Sequence, residues 1–176
     1  MDPYRKTDAC RRGARDISLM RLAQRAVLTA SLAAATVTAA WAENWEVSPA
    51  PGGGSGACVL VSAKQTVNDG YQDVKAQIVV DARTVVVRSD SVLDGGFADI
   101  GIQVAKEPFI PIDEIRDRKQ AVFNEQYEKL VQLFKDGREV RVQLRFWPTW
   151  PATGTHSVSF SLMGFTKAYG EAARCR

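Results

Sequence analysis

The stretch from residue 138 to residue 162 constrains the fold most, because its apolar residues recur at every second position. Over residues 138–146 apolar side chains alternate with polar ones, and the alternation returns over residues 155–162 after a loop. Successive side chains of a strand point to opposite faces of a sheet, so each stretch predicts a strand with one buried face. Together the two stretches predict an antiparallel hairpin.

Shorter stretches of the same kind precede this hairpin. Residues 74–80 and 98–104 alternate, and residues 84–88 are rich in β-branched side chains. Residues 68–70 and 94–96 read Asn-Asp-Gly and Asp-Gly-Gly, which are typical turn sequences. Short strands joined by turns predict a mainly β fold, a β-sandwich-like antiparallel sheet, with an α+β arrangement as the alternative.

One internal segment changes to a helical period. Between residues 124 and 135 the apolar side chains lie three or four positions apart, which predicts an amphipathic helix packed on the sheet. Asn124 is interpreted as its N-cap, and Gly137 as the residue that ends it in the left-handed conformation. The pattern of residues 165–172 predicts a short C-terminal helix.

Residues 1–42 have the composition of a leader that carries a signal peptide. Two arginines precede a run rich in Ala, Leu, Val and Thr over residues 26–40, and the bond between Ala42 and Glu43 follows a typical small-residue cleavage pattern. Met20 is interpreted as the true start. The apolar run is short and rich in Ala, Ser and Thr, whereas a stable membrane span takes about 20 strongly apolar residues. The sequence therefore predicts export to the periplasm or to an outer-membrane-associated position.

Removal of the leader changes the charge of the protein. Residues 1–42 hold seven of the 23 Lys and Arg and three of the 20 Asp and Glu, which leaves 16 basic against 17 acidic residues in 43–176. These charges are interspersed, with a modest basic stripe at Arg138, Arg141 and Arg145, so no nucleic-acid partner is predicted. The remaining length fits a single domain.

The cysteines agree with export. Cys58 and Cys175 remain after the leader is removed, and an oxidising compartment favours a disulfide between them. Neither belongs to a Cys-x-x-Cys redox motif, so the bond is interpreted as structural. With His156 as the one histidine and no further cysteine cluster, neither a metal site nor a cofactor is predicted.

The carboxy-terminal block resembles a known family. A helix that ends in Lys-Asp-Gly is followed by the hairpin and then by residues 161–169, which read Ser-Leu-Met-Gly-Phe-Thr-Lys-Ala-Tyr. This block is similar to the end of the invasion associated locus B family of exported bacterial proteins, whose hallmark is Ser-Leu-x-Gly-Phe-Thr-x-Ala. Trp45 and Cys58 agree more loosely. The resemblance implies a β-rich periplasmic or outer-membrane-associated protein, in some bacteria linked to host-cell invasion, and brings no catalytic residues.

No catalytic motif stands out among the polar residues. His156 and Ser157 are neighbours on one strand and would point to opposite faces, which argues against a nucleophile and base pair. His156 is therefore interpreted as a solvated or hydrogen-bonded side chain. Asp113, Glu114 and Asp117 are interleaved with basic residues, and a solvated mixed-charge surface explains them. The sequence predicts that the protein is not an enzyme.

An aromatic and proline-rich loop is the candidate binding feature. Phe146, Trp147 and Trp150 lie on the hairpin connection together with two prolines, and proline lowers the entropic cost of presenting aromatic anchors. These residues are hypothesised to form a recognition patch for a protein, a glycan or the membrane interface. The alternative is that the loop folds back over the end of the sheet and buries its indoles.

These features together predict an exported, non-catalytic envelope protein. Its partner would be a protein or glycan in the envelope or on a host surface, with peripheral membrane association as a further option. Two alternatives stay open: a cell-envelope hydrolase that uses His156, and a periplasmic inhibitor or chaperone-like factor.

Overall fold

The computed structural model describes residues 44–50, 57–148 and 154–175. The described part is dominated by antiparallel strands and has two helices, which confirms the mainly β prediction. In chain order its strands are β1 (Trp45–Pro49), β2 (Cys58–Ser62), β3 (Gln65–Asn68), β4 (Asp73–Val80), β5 (Val85–Ser89), β6 (Gly101–Val104), β7 (Ile110–Pro111), β8 (Glu114–Arg116), β9 (Gln120–Phe123), β10 (Glu139–Leu144) and β11 (His156–Ser161). The helices are α1 (Tyr127–Asp136) and α2 (Phe165–Ala172), and a 3-10 turn follows at Ala173–Cys175.

The strands form two sheets. The larger has the order β1-β2-β4-β5-β9-β8, with β3 also paired to β4, and the smaller has the order β11-β10-β6-β7. Strand β4 is long enough for two partners along one edge, since β3 pairs with residues 73–76 and β2 with residues 79–80, while β5 pairs along the other edge. The predicted leader, with Met20 and the Ala42/Glu43 cleavage position, lies outside the described residues.

The predicted hairpin is confirmed as β10 and β11. Val140 lies opposite Phe160 and Val142 lies opposite Val158, and all four side chains are buried. The intervening side chains, such as Arg141, are exposed. This is the alternation that a sheet with one core face and one solvent face requires.

The larger sheet is apolar on both faces at its centre. Its registers place Val61 opposite Val79, Val79 opposite Val86, and Val86 opposite Val122. Most of this row is buried in a small cluster separate from the main core. Residues 85–87 therefore read as an unbroken valine run, because strands buried on both faces carry continuous apolar sequence rather than alternation.

Helix α1 packs on the core as predicted, with a different beginning. Tyr127, Leu130 and Phe134 are buried on its inner face. The helix begins at Tyr127 after Gln126, so the interpretation of Asn124 as its N-cap is wrong. The amides of Asn124 and the following residue instead donate to Oδ2 of Asp113, at 2.6 and 2.9 Å. A carboxylate from a distant turn thus satisfies backbone donors just before the helix.

Gly137 follows α1 for a steric reason. Its φ of −83° and ψ of 167° are extended rather than left-handed, which corrects the sequence interpretation. A Cβ at this position would lie 2.7 Å from Cγ1 of Val104 and 2.9 Å from Cδ1 of Leu162. Only a residue without a side chain lets the chain leave the helix this close to the core.

Three aromatic rings join the two ends of the described domain. Phe165 at the start of α2 lies 4.9 Å from Trp45 of β1 and 5.4 Å from Phe134 of α1, measured between ring centroids. Nε1 of Trp45 donates a 2.9 Å hydrogen bond to the carbonyl oxygen of Ser161. The first strand is thus packed and hydrogen-bonded to the segment that leads into the last helix.

The predicted disulfide is confirmed. Cys58 of β2 is bonded to Cys175 in the 3-10 turn, and their Cα atoms are 5.7 Å apart. The bond fixes the end of α2 to the second strand.

Candidate binding site

Trp147 is held on an exposed part of the surface. Its side chain is 58% exposed, and its backbone N–H donates a 2.8 Å hydrogen bond to the carbonyl oxygen of Val92. The preceding residue forms a β-bridge with Leu93, and the peptide bond between Trp147 and Pro148 is cis. The segment around Val92 therefore fixes the backbone at Trp147, and the indole is exposed to solvent.

The other two aromatic residues of the predicted patch differ from Trp147. Phe146 does not belong to the surface, because its ring is 1% exposed and packs in the main core. Phe146 is buried because it continues the inward-facing positions of β10, whereas its neighbour Trp147 faces outward. Trp150 lies outside the described residues.

A cross-strand ion pair involves Arg145, two residues before Trp147. The register of β6 with β10 pairs Gly101 with Gln143, so two residues further on Asp99 comes opposite Arg145. Nε of Arg145 donates to Oδ1 of Asp99 at 2.8 Å, and Nη2 donates to Oδ2 at 2.7 Å. The hydroxyl of Thr155, the residue just before β11, also donates a hydrogen bond to Oδ2 of Asp99. This bidentate geometry fixes the plane of the guanidinium.

The ion pair also supports a second exposed ring. Phe97 lies with its ring centroid 4.2 Å from Cζ of Arg145 and is 40% exposed. A cation over an aromatic face is attracted by the ring quadrupole, so Arg145 restricts where Phe97 can lie. We call Phe97, Arg145 and Trp147 the aromatic surface. The sequence alone did not identify Phe97 or Asp99, because their partner Arg145 is 46 or more positions away. The one local signal near them is the Gly-Gly turn before Phe97.

A cleft opens beside Phe97. It has a volume of about 490 Å³, and the residues around it include Phe97, the half-buried Ile112 and the acidic residues Asp113 and Glu114. A turn that contains Gly95 closes against Ile115, where a Cβ on the glycine would come within 2.8 Å of Cγ1.

The predicted mixed-charge residues are accounted for by local contacts. Glu114 forms a 2.6 Å salt bridge with Arg116, and Asp117 accepts a hydrogen bond from Gln120. Asp113 accepts the backbone bonds before α1. All three acidic side chains belong to exposed residues, as the sequence interpretation predicts. No group of three or more His, Cys, Asp or Glu side chains within the described ranges could hold a metal ion.

His156 faces inward at one end of the smaller sheet. Its ring centroid lies 5.5 Å from that of Phe146, and its Nε2 is buried with no hydrogen-bond partner among the described residues. The interpretation of a solvated or hydrogen-bonded imidazole is therefore wrong for this nitrogen. Ser157, the next residue, is exposed on the opposite face.

Asp69 is the buried carboxylate that interacts electrostatically with His156. Burial raises the pKa of Asp69, but hydrogen bonds from the amides of Gln72 and Tyr71, at 2.8 and 2.9 Å, outweigh it and leave the pKa below its usual value. Ser91 and the charge of His156 act in the same direction. Both amides donate their hydrogen bonds to Oδ1 of Asp69, so this oxygen stabilises the turn that contains Asp69.

The Asp99–Arg145 pair gives a pH-dependent stability. Hydrogen bonds from Arg145 lower the pKa of Asp99 to about 2, although burial opposes them. A depressed carboxylate pKa stabilises the fold at pH values above about 3.8, and the stabilisation is lost as pH falls toward 2. Asp99→Asn should therefore cost about 0.5–1 kcal/mol at pH 7, a value limited by solvent screening because Asp99 is 37% exposed. Urea unfolding of both proteins between pH 2 and 7 measures this difference. A difference that stays constant down to pH 2 would contradict the assignment.

Comparison with protein-family models, curated proteins and solved structures finds no match for this chain. No helix in the described ranges combines the length and the apolar character that crossing a membrane requires. The fold itself defines a mainly β, disulfide-linked domain.

Proposed function

We propose that this chain is an exported, non-catalytic envelope protein that binds a partner through the aromatic surface. The observation that carries the proposal is the exposure of two aromatic rings near a fixed arginine: Phe97 contacts the guanidinium of Arg145, which Asp99 holds in place, and Trp147 follows Arg145 by two residues. Rigid aromatic side chains lose little conformational entropy on binding, and they dominate the energetics of many interfaces. The ion pair fixes Arg145, and through it Phe97, before a partner arrives.

Export is supported by two independent features. The disulfide between Cys58 and Cys175 fits an oxidising compartment. The composition of residues 1–42 fits a signal peptide that is removed during export. We therefore place the protein in the periplasm or in association with the outer membrane.

A relationship to the invasion associated locus B family is part of this proposal. The residues that carry the resemblance cover the entry to α2, where Leu162, Phe165 and Ala168 are buried in the main core. The motif thus has a packing role in this chain. That role fits a family hallmark that specifies a fold rather than a reaction.

The hydrogen-bond partners of Ser91 and His156 favour a non-catalytic role. A serine hydrolase that uses His156 would need a serine hydroxyl within hydrogen-bond reach of the imidazole and a carboxylate that orients it. In this chain Ser91 hydrogen-bonds Asp69 instead, and Nε2 of His156 has no partner among the described residues. The other alternative, a periplasmic inhibitor or chaperone-like factor, would use the same aromatic surface. It would be distinguished from a general envelope-binding protein by purifying with one stoichiometric partner.

A double variant, Phe97→Ala with Trp147→Ala, tests the proposal. We expect it to lose at least about tenfold of its affinity for the partner captured from envelope extracts, because both anchors are removed. Its melting temperature should fall by only a few degrees, because both side chains are largely outside the core. The matched control is Tyr71→Ala, which removes an aromatic ring that is 61% exposed elsewhere. Unchanged capture by the double variant, or a large fall in melting temperature without a binding defect, would refute the aromatic surface as the binding site.

A further inference from the structure

We propose that the outer edge of β1 pairs with β1 of a second copy of this chain, so that two molecules form a dimer through one continuous antiparallel sheet. The larger sheet ends at β1 on one side and at the three-residue strand β8 on the other. In the smaller sheet, the edge strand β7 has two residues, and the edge strand β11 lies beside β3. Among the described strands, β1 is therefore the longest one with no strand alongside its outer edge.

The pairing of β1 with β2 determines which backbone groups point to that edge. The amide of Ala63 donates a 2.8 Å hydrogen bond to the carbonyl oxygen of Asn44, and the amide of Ala50 donates a 2.9 Å bond to that of Ala57. Residues of an antiparallel strand alternate between bonding to the paired strand and pointing away from it. The even-numbered residues of β1 therefore bond to β2, and its odd-numbered residues point to the outer edge.

The outer edge consists of the backbone groups of Trp45, Val47 and Pro49. These amides and carbonyl oxygens have no hydrogen-bond partner among the described residues. Because proline has no N–H, the edge offers two donors and three acceptors. Unpaired backbone groups in a row are a template on which a further strand can add.

An antiparallel pair centred on Val47 uses both donors of each copy. Val47 would exchange two N–H···O bonds with Val47 of the second copy, and the amide of Trp45 would donate to the carbonyl oxygen of Pro49 across the interface. Pro49 would lie at the end of the paired segment, where its missing N–H costs least. On the outer face Glu46 would lie opposite Ser48, so two glutamates do not meet. The edge is therefore complementary to itself.

Helix α2 runs alongside β1 in the same direction. Phe165 at its start lies 4.9 Å from Trp45, measured between ring centroids. Cys175, just after its end, is bonded to Cys58, which lies opposite Pro49 in the register of β1 and β2. A two-fold axis that makes the two β1 strands antiparallel therefore makes the two α2 helices antiparallel as well.

The side of α2 nearest β1 has one basic and one acidic residue. Lys167 and Glu171 line a small depression together with Trp45, whereas Tyr169, on the other side of the helix, contacts Lys135 of α1. Both charged side chains are exposed, and Nζ of Lys167 is 4.0 Å from Oε1 of Glu171. Antiparallel helices would bring Lys167 of each copy toward Glu171 of the other. This charge complementarity favours a second copy over an unrelated strand.

Sedimentation equilibrium of residues 43–176, with the disulfide intact, tests the dimer over about 1 µM to 1 mM protein. We expect a concentration-dependent dimer with a Kd of about 10–100 µM, because an interface of one short strand and one helix side is small. Val47→Pro should weaken association by at least about tenfold, since it removes the central donor of both copies. Circular dichroism establishes that this variant is folded.

A charge reversal on α2 tests the same dimer without a change in the strand. Lys167→Glu should weaken association by about threefold to tenfold, because two acidic residues would then face two others across the axis. Adding Glu171→Lys should restore it. Lys129→Glu makes the same charge change at an exposed position of α1 and should leave association unchanged.

Hydrogen exchange of individual amides identifies the surface that associates. The amide of Val47 is unpaired in one copy, so its exchange should slow by at least about tenfold as the protein concentration rises through the Kd. The amide of Ala63, which is bonded to Asn44 in any case, is the internal control.

Three results would overturn the inference. The first is a monomer at all concentrations up to 1 mM. The second is a dimer in which the amide of Val47 exchanges as fast as in the monomer, which would assign the contact to another surface. The third is protection of Val47 that requires an added envelope extract, which would mean that a strand of a different protein occupies this edge.

Discussion

Phe165→Ala is expected to lower the free energy of unfolding by about 3–5 kcal/mol, the range for a large aromatic residue removed from a core. Phe165 is fully buried and contacts the rings of both Trp45 and Phe134. Its loss leaves a cavity between the first strand and both helices, and backbone hydrogen bonds on either side limit collapse into it. Urea unfolding at neutral pH, followed by far-UV circular dichroism, measures the change.

Met163→Ala is the matched control for this prediction. Met163 lies two residues before Phe165 and is exposed, so its truncation should change the free energy of unfolding by less than about 0.5 kcal/mol. A loss below about 1 kcal/mol for Phe165→Ala would mean that the three rings do not form the tightly packed contact described above.

Removal of the disulfide is expected to have a comparable effect. The bond closes a loop with a sequence separation of 117, for which chain entropy gives an upper value of about 4–5 kcal/mol. The variant Cys58→Ala with Cys175→Ala should therefore unfold at a much lower urea concentration than the oxidised protein.

Reductant provides the control for the disulfide. Dithiothreitol should lower the stability of the parent protein toward that of the double variant and leave the variant unchanged. Free-thiol titration of the unfolded, never-reduced parent should detect no thiol from residues 43–176. Two reactive thiols, or equal unfolding midpoints for parent and variant, would contradict a stabilising bond between these cysteines.

The period of the apolar residues predicted the strands and the helix that bury a single face. Strands β10 and β11 each have one buried face, and α1 has one buried stripe, so the sequence shows the period of each directly. The disulfide followed from cysteine number and compartment chemistry. In all these cases the relevant information is local or is limited to a single pair of residues.

The ends of α1 could not be read from local sequence. Asn124 has the chemistry of an N-cap, but Asp113, 11 positions earlier, supplies the carboxylate that binds the backbone donors. Gly137 suggests a left-handed turn, yet its backbone is extended, and the side chains of Val104 in β6 and of Leu162, just after β11, leave no room for a Cβ. Both outcomes depend on which distant segments the fold brings together.

The candidate site was predictable only in part. The loop composition identified Trp147, which is exposed as the recognition hypothesis requires. The same loop suggested Phe146, although the alternation that continues from the inward face of β10 could have excluded it from the surface. Phe97 and Asp99 become partners of Arg145 only through the pairing of β6 with β10, which nothing in the local sequence specifies.

The contact between Trp45 and the segment around Phe165 has a consequence for biosynthesis. A ribosome, or a translocation pore, delivers the chain from its amino-terminal side, and Trp45 emerges about 120 residues before the ring it packs against. Until then the indole of Trp45 lacks its nearer ring contact, the one with Phe165, and Nε1 has no acceptor at Ser161. We expect nascent chains that stop short of Phe165 to stay sensitive to protease, and the complete polypeptide to become resistant in a single late step.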